Sequence, residues 1–297
     1  MKIFIKKLLI SPYLLLNIFY SFLGVFSQRI KGLYFDTQLD FLDNQKLKIS
    51  HKSNTGKNVK LSFYTPNSVN FFRAKTFSVK EPETLSWIEE FGKEGAILFD
   101  IGANVGLYSI YHSKFNNGES FAFEPSFLNL KLLLKNINLN SCQEQVNVIQ
   151  NPLFSSTGIS NFKYGNTIEG GALSAFDVDY GFDGKKINHE LDVNVMGFSI
   201  DDMFEMGLLK HIPSLVKIDV DGIEHLILKG GLKTFSSNKC RSILLEINDD
   251  FINQSSEATR LLKQMGFEIR EKVHAPMIDK SELFSKTYNQ IWVKKLE

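Results

Sequence analysis

Two glycines and two acids, set at the ends of consecutive apolar runs, carry the most legible chemistry in this chain. The first run leads into Asp100-Ile101-Gly102-Ala103-Asn104-Val105-Gly106. Gly102 and Gly106 allow a sharp backbone turn and a close approach to a ligand, where a side chain would clash. Asp100 places negative charge at the strand end, which repels a phosphate and attracts an ammonium group. The pattern therefore disfavours a dinucleotide pyrophosphate, which takes G-x-G-x-x-G. It suits the cationic amino-acid end of S-adenosyl-L-methionine. The second run ends in Phe123-Glu124-Pro125, with Glu124 eighteen residues after Gly106. An acid near that spacing grips a ribose diol. Either half alone is common in unrelated sequences; the two in register on consecutive strands point to one ligand.

A later run, SLVKIDV, ends at Asp219, which should face the same zone from a neighbouring strand. Asp221-Gly222 makes a turn, Glu224 opens a helix where the dipole favours its charge, and Glu246 and Asn248 end the next strand. Plainer readings stand beside these. Asp221 serves as a turn residue, Glu224 as a helix-start charge, Asn248 as a turn cap and His225 as a structural helix histidine. Lys217 lies inside a strand and receives no chemistry.

These segments resemble the FkbM family of methyltransferases. The matching text is FDIGANVGLYS (99–109), FAFEPS (121–126), NVIQNPLFSSTG (147–158), LVKIDVDGIEHLILKG (215–230) and SILLEIN (242–248). The resemblance spans about residues 80 to 297. It implies a Rossmann-like class I methyltransferase fold, S-adenosyl-L-methionine as cofactor, and O-methylation, often of sugars in surface polysaccharide or natural-product pathways. By the same resemblance Asp100, Gly102, Ala103, Asn104 and Gly106 form the methionine loop. Glu124, with Pro125 after it, holds the ribose, and Asn151 borders the adenine. Asp221 stands where the family commonly has Glu.

A sugar hydroxyl is a poor nucleophile at neutral pH, so a base must take its proton as attack proceeds. Asp219 is the first candidate, followed by His225 and Glu246. Asp219, Glu246 and Asn248 could together offer oxygens to a hard divalent cation. The turn and helix readings account for them without one, and no metal is expected. Two other functions compete: a catalytically inactive S-adenosylmethionine-binding or scaffold protein, and an NAD-dependent oxidoreductase, which lacks its third glycine here.

The elements that must position these residues alternate between strand and helix from about residue 81 to 297. That alternation implies an α/β domain with a mainly parallel sheet, helices on both faces and an antiparallel closing pair, FEIREKV and NQIWVKK. Residues 32–80 read as a small β-rich accessory segment, with NFFRAKTFSV as one strand, and 161–190 as a polar, Gly-containing stretch. Residues 1–31 read as an apolar helix. Lys2, Lys6, Tyr13, Asn17, Tyr20, Gly24, Gln28 and Lys31 share one arc of it, while Leu8, Leu15, Phe19, Phe22 and Phe26 lie away from that arc. This is the pattern of a helix in a membrane surface. The alternatives are packing on the protein's own core and a true span. Basic residues before the run disfavour a span with the N-terminus outside.

The formal net charge of +1 gives no electrostatic reason to seek nucleic acid. Cys142 and Cys240 are too few for a disulfide framework. The expected partner is a small-molecule or glycan acceptor. The expected place is the cytoplasm, at the cytosolic face of a membrane.

Overall fold

The computed structural model describes residues 2–93, 95–274 and 284–295. The chain runs α1 (Lys2–Phe26), α2 (Gln28–Asp43), β1 (Lys46–Lys52), β2 (Asn58–Tyr64), α3 (Ser68–Lys75), α4 (Phe77–Lys80), α5 (Pro82–Phe91), β3 (Ile97–Ile101), α6 (Leu107–Asn116), β4 (Glu119–Phe123), α7 (Phe127–Leu139) and β5 (Val146–Ile149). It continues β6 (Gly158–Tyr164), β7 (Ala175–Phe176), β8 (Leu191–Gly197), α8 (Ile200–Glu205), β9 (Leu215–Ile218), α9 (Glu224–Gly230), α10 (Leu232–Phe235), β10 (Ser242–Asn248), α11 (Ile252–Gln264), β11 (Phe267–Val273) and β12 (Thr287–Lys294).

The central sheet has the order β11-β12-β10-β9-β3-β4-β5. Its interior pairs β10–β9, β9–β3, β3–β4 and β4–β5 are parallel, and β12 runs antiparallel to both β10 and β11. This is the expected Rossmann-like sheet with its antiparallel closing strand. Strand alternation sorts the side chains to two cores. Phe99, Ile101, Val216, Ile218, Ile243 and Leu245 join a core that includes residues of α8 to α11 and of β6 and β7. Leu98, Ala122, Leu215 and Leu244 join a second, with Trp87 of α5, Tyr111 of α6 and Leu61 of β2.

Several segments differ from the sequence expectation. Within 32–80 only β1 and β2 are strands, and they form a hairpin. NFFRAKTFSV is helical in α3 and α4, because the Asn67 side chain accepts a hydrogen bond from the Asn70 amide and starts the turn. Its aromatic residues signalled a strand, but a cap outweighs that weak preference. Residues 32–43 extend helix α2. The stretch 161–190 holds the end of β6 and the short β7, which with β8 make a three-stranded sheet beside the main one. The acids Asp201 and Asp202 lie in the first turn of α8 and do not cap it. Ser199 does so, and Asp201 accepts from the Lys233 and Thr234 amides at the start of α10.

No helix among the described residues is long and apolar enough to cross a membrane. The side chains of Lys2, Lys6, Leu8 and Phe26, named in the N-terminal pattern, lie outside what is described.

Candidate functional site

The carboxyl ends of β3, β4, β5, β9 and β10 surround a cavity of about 360 Å3. Gly102, Asn104, Glu124, Pro125, Asn151, Asp219, Asp221 and Glu246 all line it. The topology explains the convergence, since a parallel sheet brings all its strand ends to one edge.

The glycine loop is shaped by the strand on either side. The amides of Gly102 and Ala103 both donate to the Phe123 carbonyl at 3.0 Å. Gly102 has φ +85°, and a Cβ there would collide with the carbonyl oxygen of Asp219. The loop and the end of β9 are thus in backbone contact. Gly102→Ala is expected to lower stability by about 1–2 kcal/mol through the positive φ and the displaced carbonyl, measured as a shifted unfolding midpoint. An unchanged midpoint would contradict that contact. Gly106, at φ +86°, starts α6, and a Cβ on it would press against Leu133 of α7.

Asp100 does not reach the cavity. It alternates onto the side of the sheet that faces α6. There its Oδ2 accepts from the Ser109 amide at 3.0 Å and the Ser109 hydroxyl at 2.6 Å. It is fully buried, and burial pushes its carboxyl up despite the Lys217 charge nearby. The direct attraction of a ligand ammonium by Asp100 is therefore corrected: Asp100 fixes the start of α6 and so the loop before it. Gly106 and Ala103 are also off the main cavity, although Ala103 lines a small annex of about 40 Å3 beside it.

Glu124 is buried at the mouth of β4. Its Oε2 accepts from the Asn104 amide at 2.7 Å and its Oε1 from the Ser126 amide at 2.8 Å. Burial raises its pKa to about 7, against the lowering effect of those donors. Asn104 sits at φ 51°, and its side-chain amide donates to the Gly171 carbonyl at 2.8 Å. Its Oδ1 is buried with no hydrogen-bond partner among the described residues. Asn151 is half-buried and donates to the Met196 carbonyl at 2.9 Å.

Across the cavity lies a ladder of charges that the sequence did not reveal. Lys217 is buried in β9, and its Nζ donates to Asp219 Oδ2 at 2.6 Å. Burial opposes its charge, but Asp219, Glu81 and Asp100 outweigh that and hold its pKa above the usual lysine value. Its ammonium also lies 4.9 Å from the centre of the Tyr108 ring. Tyr108 donates to buried Glu81 at 2.7 Å, and Glu81 pairs with Lys80, which lines the cavity. Those partners hold the Glu81 carboxyl below the usual range even though burial pushes the other way. Glu246 behaves oppositely: burial, then the charges of Asp219 and Glu81, raise its pKa well above the carboxylate range. Glu81 could not be found by pattern, because a Glu before a helix has unremarkable spacing; for Lys217 the available signal was its place two residues before Asp219, which puts both side chains on one face of the strand.

The remaining candidates fall elsewhere. Asp221 has φ 61° and accepts from the Leu173 amide at 2.6 Å, which ties the 165–174 loop over the cavity. Its pKa is raised to about 6 by burial and by Asp219. Glu224 does not line the cavity; its Oε1 receives the Val220 and Gly222 amides, and Gln254 donates to its Oε2. Asn248 caps its own turn by accepting from the Asp250 amide. Among the described residues no group of His, Cys, Asp and Glu is arranged to hold a metal.

His225 is corrected as a base candidate. It is not on the cavity wall, and it packs edge-on against Phe251 of the turn before α11. Burial lowers its pKa, and Nδ1 has no partner among the described residues. His225→Ala is expected to leave methyl transfer within about twofold of the parent, since no transition-state contact is lost. A loss of a hundredfold in a folded variant would restore it as a base.

Residues 100–269, more than half of the chain, match the methyltransferase FkbM domain. The chain belongs to the FkbM methyltransferase family. It is an S-adenosylmethionine-dependent methyltransferase. Its architecture is similar to three solved methyltransferase-type structures of low sequence identity. Precorrin-6y C5,15-methyltransferase from Geobacter metallireducens GS-15 is 14% identical, with 76% of this chain and 89% of that one covered and a TM-score of 0.42. An FkbM methyltransferase from Methylobacillus flagellatus KT is 17% identical, with 67% and 43% covered and a TM-score of 0.40. Sp1610 of Streptococcus pneumoniae, solved in complex with S-adenosyl-L-methionine, is 15% identical, with 72% and 74% covered and a TM-score of 0.39. No curated protein matches the chain.

The FkbM cavity fits the cofactor on its own chemistry. The unpartnered Asn104 oxygen, the Gly102 backbone and the buried Glu124 carboxyl meet in one space of a size ordinary for a small-molecule site.

Proposed function

We propose that the chain methylates a hydroxyl of a sugar acceptor, with Asp219 as the base. The bound S-adenosyl-L-methionine supplies an electrophilic methyl group on a sulfonium. Gly102 and Asn104 would receive its amino-acid end, Glu124 would accept from its ribose hydroxyls, and Asn151 would border its base. The observation that carries the reading is the place of Asp219. Its backbone abuts the glycine loop, and its carboxylate lies on the cavity wall, paired with Lys217.

Asp219 is favoured over Glu246 by charge. The Asp219 carboxylate is ion-paired with Lys217, whereas burial and the charges of Asp219 and Glu81 favour the neutral form of Glu246, which is less ready to take a proton. Glu246 would instead donate a hydrogen bond to an acceptor oxygen. Lys80 and Asp221 on the same wall offer further polar partners to a hydroxyl-rich ring. A near-neutral chain gives no support to a nucleic-acid acceptor. The donor is cytosolic, so the site works on the cytosolic side. Mass spectrometry of surface glycans from cells with and without the protein tests the reading. Loss of one methyl increment from a sugar residue is expected, and identical spectra would refute it.

A further inference from the structure

Helices α1 and α2 form a hairpin in which α1 carries inverted polarity. Tyr13 donates to Gln38 at 3.1 Å, Tyr34 donates to Asn17 at 3.1 Å, and the rings of Tyr20 and Tyr34 stack at 3.8 Å. Gly24 lets the stem of Lys31 lie close, since a Cβ there would sit 2.6 Å from its Cδ. The described part of the polar arc on α1 therefore faces α2, not solvent. The opposite face is apolar and open. Leu15, Ile18, Phe22 and Val25, spaced along one side, are 66%, 65%, 61% and 78% exposed. Helix α2 buries none of its side chains, and its exposed residues mix Leu33, Leu39 and Phe41 with Asp36 and Asp40.

The hairpin is tied to the catalytic body at its base. Lys135 donates to Asp43 at 2.9 Å, and Lys131 lies 3.8 Å from the same carboxylate. Lys131 also pairs with Glu169 at 2.9 Å. Two residues on, Gly171 lines the cavity. The hairpin base is thus two side-chain links from the cavity rim.

Polar groups turned inward and apolar groups turned outward suit a medium that forms no hydrogen bonds. In water the reverse order is stable, and so large an open apolar face marks an interaction site. The charges name the occupant. Helix α1 holds no acidic residue; Lys2, Lys6 and Lys7 precede its apolar run, and Arg29 and Lys31 follow it. Basic residues flanking an apolar face complement anionic head groups.

We propose that this hairpin seats the enzyme on an anionic lipid surface and that its acceptor is a lipid-linked glycan. The second half rests on the sugar-methylation reading above. Holding the cavity rim close to the bilayer raises the local concentration of any acceptor anchored there, and does nothing for a free one.

The test uses the full chain with vesicles of phosphatidylcholine, with and without phosphatidylglycerol. The chain is expected to sediment with the anionic vesicles, and less so as salt rises. A Leu15→Asp, Ile18→Asp variant should bind them at least about tenfold more weakly with unchanged S-adenosylmethionine affinity, because both positions are exposed. A chain that stays in the supernatant overturns the proposal. So does a variant that binds equally well, or a dimer that the variant dissolves without any vesicle binding. In a second arm, cell membranes are incubated with methyl-tritiated S-adenosylmethionine. Label is expected in the organic extract; label confined to water-soluble glycan overturns the lipid-linked acceptor. No label in any sugar refutes sugar methylation itself, while the vesicle result still stands or falls on its own.

Discussion

Replacing Asp219 with Asn is expected to slow methyl transfer by about 10²–10⁴-fold, the usual contribution of a positioned base, with cofactor affinity nearly unchanged. The substitution keeps the shape of the side chain and still offers Lys217 an acceptor oxygen. It removes the capacity to take a proton. Label transfer from S-adenosylmethionine to a glycan fraction, beside calorimetric cofactor binding, separates the two effects. Equal losses in both would make Asp219 a cofactor ligand only. A near-normal rate would shift the role to Glu246, the other carboxyl on that wall. Because Asn leaves the buried Lys217 charge less compensated, the unfolding midpoint must be followed in parallel; Glu81 remains as its second counter-charge.

What the sequence made legible follows from how local each signal is. The glycine loop, Glu124 and Asp219 sit at strand ends, and short apolar runs closed by Gly or an acid mark such ends plainly. Their convergence on one cavity is then dictated by a parallel sheet. Asp100 shows where this logic stops. Its place in the motif is correct, but the side it faces depends on strand alternation, which turned it to Ser109. His225 failed for the same reason on a helix, where a difference of one position changes the face. Lys217 stands two residues before Asp219, but its other partners, Glu81 and Tyr108, are distant in sequence, and Glu81 has no local signal at all. The helical nature of 68–80 was hidden by aromatic residues, and the N-terminal polar arc was read correctly as an arc but assigned the wrong partner. A second helix, α2, takes the place of solvent there, and no pattern within α1 could announce it.

Glu124→Ala is expected to weaken S-adenosylmethionine binding by about 1–3 kcal/mol, the range for a lost buried hydrogen-bonding group. The pH dependence gives a sharper test. In the free protein Glu124 is raised from the ordinary value of 4.5 to about 7 by burial, so its neutral form predominates below neutrality. Ribose hydroxyls donating to it favour the charged form. Affinity should therefore rise from pH 6 to pH 8 by roughly tenfold in the parent and stay flat in Glu124→Gln. The stability of the free protein moves in the opposite sense. Between the unfolded value of 4.5 and the folded value of about 7 the native state binds the extra proton. Rising pH across that window then costs about 1–3 kcal/mol, a cost that the Gln variant lacks. Glu224, also raised to about 7, and Asp221, raised to about 6, act in the same direction. His112, buried and lowered to about 4, acts against them below its unfolded value of 6.5. The comparison of parent with Gln variant cancels all three and isolates Glu124. Chemical denaturation at several pH values, with and without cofactor, reads both slopes. Parallel curves for the two proteins would remove Glu124 from the cofactor site, whatever the affinity of the Ala variant.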